Sequence, residues 1–134
     1  MSTAEMSTDW QALQVFKGID LYDSFVLGWS LKNHDLTFRL EVSVWPDSEY
    51  YKRPKAGEHT CYLKATLRFT QVSHVQGLLS QAVAESTTDP DGSTDYGTIE
   101  GLQIRQGHYL IEGDFGRVEF FADDMVFSTE VHEE

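Results

Sequence analysis

Leu36, Phe38, Leu40, Val42 and Val44 alternate without a break against Thr37, Arg39, Glu41 and Ser43, ending at Trp45. Successive side chains on a strand point to opposite faces, so this stretch predicts a strand with one apolar and one wet face. Cys61, Leu63, Ala65, Leu67 and Phe69 repeat the pattern against Tyr62, Lys64, Thr66, Arg68 and Thr70. Two such strands need a common core and a solvated outer face, which describes an antiparallel sheet. Upstream, Phe25, Leu27, Trp29 and Leu31 alternate with Ser24, Val26, Gly28 and Ser30. The turn residues 32–35 join that segment to the central strand as a hairpin.

The remaining segments follow the same logic. Thr8 or Asp9 is placed to cap a short helix that carries Trp10, Leu13 and Phe16 and stops at Gly18. Pro46 lacks the amide hydrogen a ladder needs, so pairing should lapse there and a long loop should run to His59. Val75, Leu78 and Leu79 suggest a short strand or turn, and residues 81–97 read as a polar, exposed connection. A loop of that length is either mobile or functional. From Ile99 onward, turns at Gln106-Gly107, Asp114-Phe115-Gly116 and Asp123-Asp124 divide a meander of short strands. The prediction is an all-β, mostly antiparallel fold: a curved sandwich of about seven or eight strands with one short N-terminal helix. Barrel closure is the alternative that the same periodicity allows. The chain of 134 residues fits a single β-rich domain, with residues 1–8 as a flexible tail.

Charge changes the picture more than composition does. The net charge is −12, and residues 69–134 hold only Arg105 and Arg117 against 13 acids. Phosphates would be repelled, so nucleic acid is an unfavourable partner, whereas a basic protein would be attracted. No apolar run approaches the ~18 residues of a membrane span, and residues 1–9 lack the pattern of an export signal. With one cysteine, Cys61, these features point to the cytoplasm.

Asp23-Ser-Phe-Val26, Gly57-Glu-His-Thr-Cys-Tyr62 and Thr88-Asp-Pro-Asp-Gly-Ser-Thr-Asp-Tyr-Gly97 resemble segments of a family of small uncharacterised bacterial proteins. The resemblance runs from about residue 18 to residue 130 and implies a β-rich fold but no activity. A small, acidic, cytosolic composition is also similar to that of proteins that neutralise toxins.

Few residues carry candidate chemistry. Asp89, Asp91, Ser93, Asp95 and Glu100 nearly match a calcium loop, but Pro90 and Thr94 stand where that loop would need other residues, so a side-chain-stabilised turn is preferred. His59 and Cys61 are too few for a zinc site, and Cys61 reads as a small core residue. No Gly-x-Ser-x-Gly elbow occurs, and the five histidines are scattered. The balance is against an enzyme, and no cofactor or metal is implied. Two groups of residues are better suited to binding a partner. Trp45, Tyr50, Tyr51, Lys52, Arg53 and Lys55 combine aromatics with a basic cluster in one loop. Glu112, Asp114, Glu119, Asp123 and Asp124 would form an acidic surface for a basic partner. The preferred reading is therefore a non-enzymatic acidic protein that binds another, basic protein, at most an immunity-like inhibitor. The alternative is a small-molecule binding module using the concave face or open end of the β-structure.

Overall fold

A computed structural model describes residues 8–54 and 61–129. Of the expectations, residues 1–7 of the tail, Lys55 and His59 lie outside the described residues, whereas Thr8 is described and pairs with Ile104. The strands are β1 (Thr8–Asp9), β2 (Ile19–Lys32), β3 (Asp35–Val44), β4 (Cys61–Thr70), β5 (Ser73–Gln76), β6 (Thr87–Thr88), β7 (Thr94–Asp95), β8 (Ile99–Arg105), β9 (His108–Gly113), β10 (Gly116–Phe121) and β11 (Asp124–Thr129). They form a five-stranded sheet in the order β1-β8-β9-β10-β5 and a four-stranded sheet in the order β11-β4-β3-β2. A small β6-β7 hairpin stands apart. All pairings are antiparallel, and among the described residues neither large sheet closes into a barrel. No helix among them is long and apolar enough to cross a membrane.

The inner faces of the two sheets meet through aromatic side chains. Phe38 of β3 lies 4.9 Å from Phe115, which the β9–β10 turn folds back into the core. Phe69 of β4 lies 4.8 Å from Phe120 of β10 and 5.1 Å from Tyr109 of β9. In β3 every apolar position of the alternation, from Leu36 to Val44, is buried. The turns are equally regular. Asn33 and His34 both have positive φ, as do Gln106 and Gly107, the backbone that matches a tight two-residue turn to the twist of its strands.

Two expectations need correction. The N-terminal helix is instead two 3-10 turns, Trp10–Ala12 and Gln14–Phe16, separated by Leu13 in an extended conformation. Asp9 does cap the first, accepting a hydrogen bond from the Gln11 amide at 3.2 Å. Trp10, Leu13 and Phe16 recur every three residues, and that period is the 3-10 repeat rather than the α-helical one.

The second correction concerns β2, whose inside and outside are reversed over Phe25–Leu27. Val26 is fully buried, while Phe25 and Leu27 lie partly exposed on the outer face. Val26 pairs with Leu40 and Gly28 with Arg39, so Leu27 is an extra residue with no partner on β3. That bulge switches the parity of the strand and brings Trp29 inward, opposite Phe38. Leu31, beyond it, is 46% exposed.

A wider irregularity precedes the bulge. Between the pairs Asp20–Ser43 and Phe25–Glu41, β2 carries Leu21, Tyr22, Asp23 and Ser24 against Val42 alone. The Ser43 amide in this gap donates to the Ser24 hydroxyl at 3.1 Å, and that hydroxyl donates to the Asp20 carbonyl at 2.5 Å. Ser24 is fully buried, so its hydroxyl replaces a missing ladder acceptor. Ser24→Ala would leave the buried Ser43 amide unsatisfied, at a cost of about 1–3 kcal/mol. Urea denaturation measures this; an unchanged midpoint would mean that the bulge does not depend on the hydroxyl.

Candidate functional site

The segment after β5 builds a concavity against the outer face of the four-stranded sheet. It first crosses the β9–β10 turn, where the Leu79 amide donates to the Phe115 carbonyl at 2.8 Å. A Cβ on Gly116 would overlap the Gly77 carbonyl oxygen, so the two backbones meet closely there. The chain then reaches β2. Trp29 donates its indole Nε1 to the Leu79 carbonyl at 2.9 Å and its backbone amide to Gln81 Oε1 at 2.7 Å. After the β6-β7 hairpin the chain returns to the edge of β2. There the Tyr96 amide donates to the Val26 carbonyl and the Val26 amide to the Gly97 carbonyl, each at 2.8 Å. The Trp29 and Tyr96 rings meet edge to face at 5.0 Å. The expectation of an exposed connection over 81–97 is therefore only partly met: its two ends are fastened to β2.

Between this arm and the outer face of the four-stranded sheet lies a cleft of about 750 Å³. Phe25 and Leu27 form its apolar part, Arg39, Glu41 and Lys64 line it from β3 and β4, and Asp89, Asp91 and Asp95 line it from the hairpin. The register runs Phe25–Glu41–Lys64 in one row across the sheet and Gly28–Arg39–Thr66 in the next. The cleft thus runs from carboxylates on the hairpin, across apolar side chains, to cations on the sheet.

The acidic rim is held by its own turn. The Asp89 amide donates to the Ser93 carbonyl at 2.8 Å, and the Gly92 amide to the Asp89 carbonyl at 2.9 Å. Ser93 donates its amide and its hydroxyl to Asp91 Oδ1, at 2.9 and 2.6 Å. These two bonds, the hydroxyl's first, hold the Asp91 carboxyl below the usual carboxylate range, so it stays ionised. Asp95 accepts from the Gly97 amide at 3.0 Å. The stretch resembling a calcium loop is therefore a side-chain-stabilised hairpin turn, and Glu100 continues into β8.

On the sheet side, Arg39 and Lys64 are exposed, and neither is ion-paired among the described residues. Gly28 provides room for the Arg39 side chain. A Cβ there would overlap Arg39 Nη2 and come within 2.7 Å of Gln81 Oε1. The guanidinium therefore crosses the strand in a notch that only glycine leaves open.

The two groups of residues singled out from the sequence for partner binding lie elsewhere. In the first group Trp45 is 54% exposed, and Lys52 and Arg53 are exposed. Tyr50 and Tyr51 are half-buried against the core, Tyr50 at 6.1 Å from Phe127, and burial raises the Tyr50 phenol above its ordinary value. Those tyrosines thus cover a sheet end, leaving Trp45, Lys52 and Arg53 for contact. The acidic group is not gathered into one patch. Glu112 accepts from Arg117 Nε at 2.9 Å, and Glu119 lies 3.8 Å from His108 Nε2. Asp114 sits in the turn before β10, while Asp123 and Asp124 follow it at the other end, roughly 20 Å away by strand rise. That exceeds the Debye length of about 8 Å at physiological salt, so the two ends act separately.

The aspartates of the cleft stood out in the sequence as a near-match to a calcium loop, and its apolar floor had one signal of its own. Phe25-Val26-Leu27 is an unbroken apolar run, which a strand shows when both of its faces are covered. No family model, curated protein or solved structure matches the chain.

Proposed function

We propose that this protein is a cytoplasmic, non-enzymatic binding protein that captures a basic segment of a partner protein in the cleft beneath the β6-β7 hairpin. The observation that carries the reading is the Asp89–Asp91–Asp95 rim facing the partly exposed Phe25 and Leu27 side chains. Lysine and arginine side chains combine an apolar stem with a charged head, so one residue engages floor and rim together. The net charge of −12 adds long-range attraction, which raises the encounter rate of a basic partner.

Dye-labelled peptides of alternating lysine and leucine, with glutamate–leucine peptides as the control, test this by fluorescence anisotropy. The basic peptide should bind and the acidic one should not. Asp89→Asn combined with Asp91→Asn keeps the Ser93 hydrogen-bond acceptors but removes two charges. Exposed ion pairs contribute up to about 1 kcal/mol each, so the double variant should bind about tenfold more weakly. Raising salt to 1 M shortens the Debye length to about 3 Å and should slow association. Binding of the basic peptide that ignores both salt and the double substitution would dismiss the cleft as the site.

A further inference from the structure

We infer that the cleft reads its basic segment in one polarity, with a carboxylate of the partner seated on Arg39 and Lys64 while a cationic side chain sits at the aspartate rim. The inference rests on the binding function proposed above and adds the second half of the ligand.

The sheet floor of the cleft carries charge of the wrong sign for a purely basic ligand. Arg39 and Lys64 are exposed, line the cleft and have no ion-pair partner among the described residues, although Glu41 lines the same wall. A lysine-rich segment lying directly over them would be repelled. The aspartates stand on the arm along the β2 edge and the cations on β3 and β4, where Glu41 is the one carboxylate of the lining, opposite Lys64. Neighbouring strands lie about 4.8 Å apart, so β4 is about 10 Å from β2. An extended chain spans up to about 3.6 Å per residue, so about three residues bridge the aspartate rim and Lys64. The intervening side chains would cover Phe25 and Leu27.

Arg39 is also the better prepared of the two cations. Its guanidinium lies over Gly28, in the space that a Cβ there would fill, near Gln81. A planar guanidinium offers parallel N–H donors to the two oxygens of a carboxylate, and Lys64 in the neighbouring row adds a point charge. Thr66 pairs with Arg39 across the ladder, between Lys64 and Arg68. The ligand class is therefore a dipolar peptide segment: a basic residue, apolar residues, then a carboxylate.

Three dye-labelled probes test the inference on the intact protein. Dye-Gly-Lys-Leu-Leu is used with a free terminal carboxylate and as its amide, and dye-Gly-Lys-Leu-Glu is used as its amide. The free acid should bind about fivefold more tightly than its amide. The glutamate probe separates the two sources of the carboxylate. If it matches the free acid, a side chain supplies the group; if it binds only as well as the leucine amide, the chain terminus does. Arg39→Gln and Lys64→Gln should each bring the ratio of acid to amide toward one. Gly28→Ala, which fills the notch, should act like Arg39→Gln. Melting temperatures of the three variants confirm that each is folded. If the basic probes bind with no preference for the carboxylate, or if the preference survives the Arg39 and Lys64 substitutions, the polarity is wrong while the capture of basic segments stands. If no basic probe binds, the underlying function fails and the polarity with it.

Discussion

Phe38→Ala is expected to destabilise the fold by about 3–5 kcal/mol, read as a lowered urea midpoint. Phe38 is fully buried at the centre of β3, where both neighbouring strands and the opposite sheet touch it. Its ring lies 4.9 Å from Phe115 and meets Phe69 edge to face at 6.3 Å. Truncation therefore removes apolar burial, opens a cavity between two sheets and breaks aromatic contacts that add roughly 0.5–1.5 kcal/mol each. The surrounding strands are hydrogen-bonded on both sides and have little freedom to collapse into the space. Arg39→Ala, one residue along and on the outer face, should stay within about 0.5 kcal/mol of wild type. The contrast between adjacent positions is the sharper test. Equal losses at both would mean that β3 does not separate core from solvent.

Trp29→Ala is the second large effect, about 3–5 kcal/mol by the same cavity argument, with a consequence beyond stability. The indole packs against Tyr96 and Phe115 and donates to the Leu79 carbonyl. It therefore holds both ends of the arm that overhangs the cleft. Without it the arm keeps its backbone bonds at Val26, Tyr96 and Gly97 but loses the side chain that covers them. Hydrogen exchange at the Val26 and Tyr96 amides should accelerate more than exchange in the centre of β3. Trp29→Phe keeps most of the ring and loses only the indole donor, so it should cost nearer 1 kcal/mol. A Trp29→Ala protein within about 1 kcal/mol of wild type, with unchanged exchange at both amides, would show that the arm is anchored by other contacts.

These two residues also mark where the sequence was sufficient and where it was not. The inward face of β3 was legible because nothing interrupts its period of two from Leu36 to Val44. The same holds for Ala65, Leu67 and Phe69 on β4, and the tight turn at Asn33-His34 pins the register of β2 on β3. A regular strand paired on both sides leaves the backbone no choice of face, so local pattern and global fold agree. In β2 that agreement ends. Leu27 is an unpaired extra residue, and a bulge shifts every later side chain to the other face. No property of Leu27 itself announces this; the cross-strand bond from the Ser43 amide to Ser24 and the aromatic contacts of Trp29 make the irregular path favourable. The N-terminal segment failed for a related reason, since three apolar residues at a spacing of three fit a 3-10 turn as well as a short helix.

The cleft lay further from view. Arg39 and Lys64 read as ordinary solvated positions, and Asp89, Asp91 and Asp95 as a polar loop. Counting charge by halves of the chain set the acids of β9–β11 together, although β10 separates them and Arg117 neutralises one. The sequence by itself determined the strands, their tight turns and the inward faces of the regular ones, because those depend on the alternation of neighbouring side chains. Tertiary structure alone decided that an acidic hairpin lies over an apolar and cationic sheet face. That placement depends on two backbone bonds at Val26 and one indole, contacts made between residues about 50 to 70 positions apart, where local pattern carries no information.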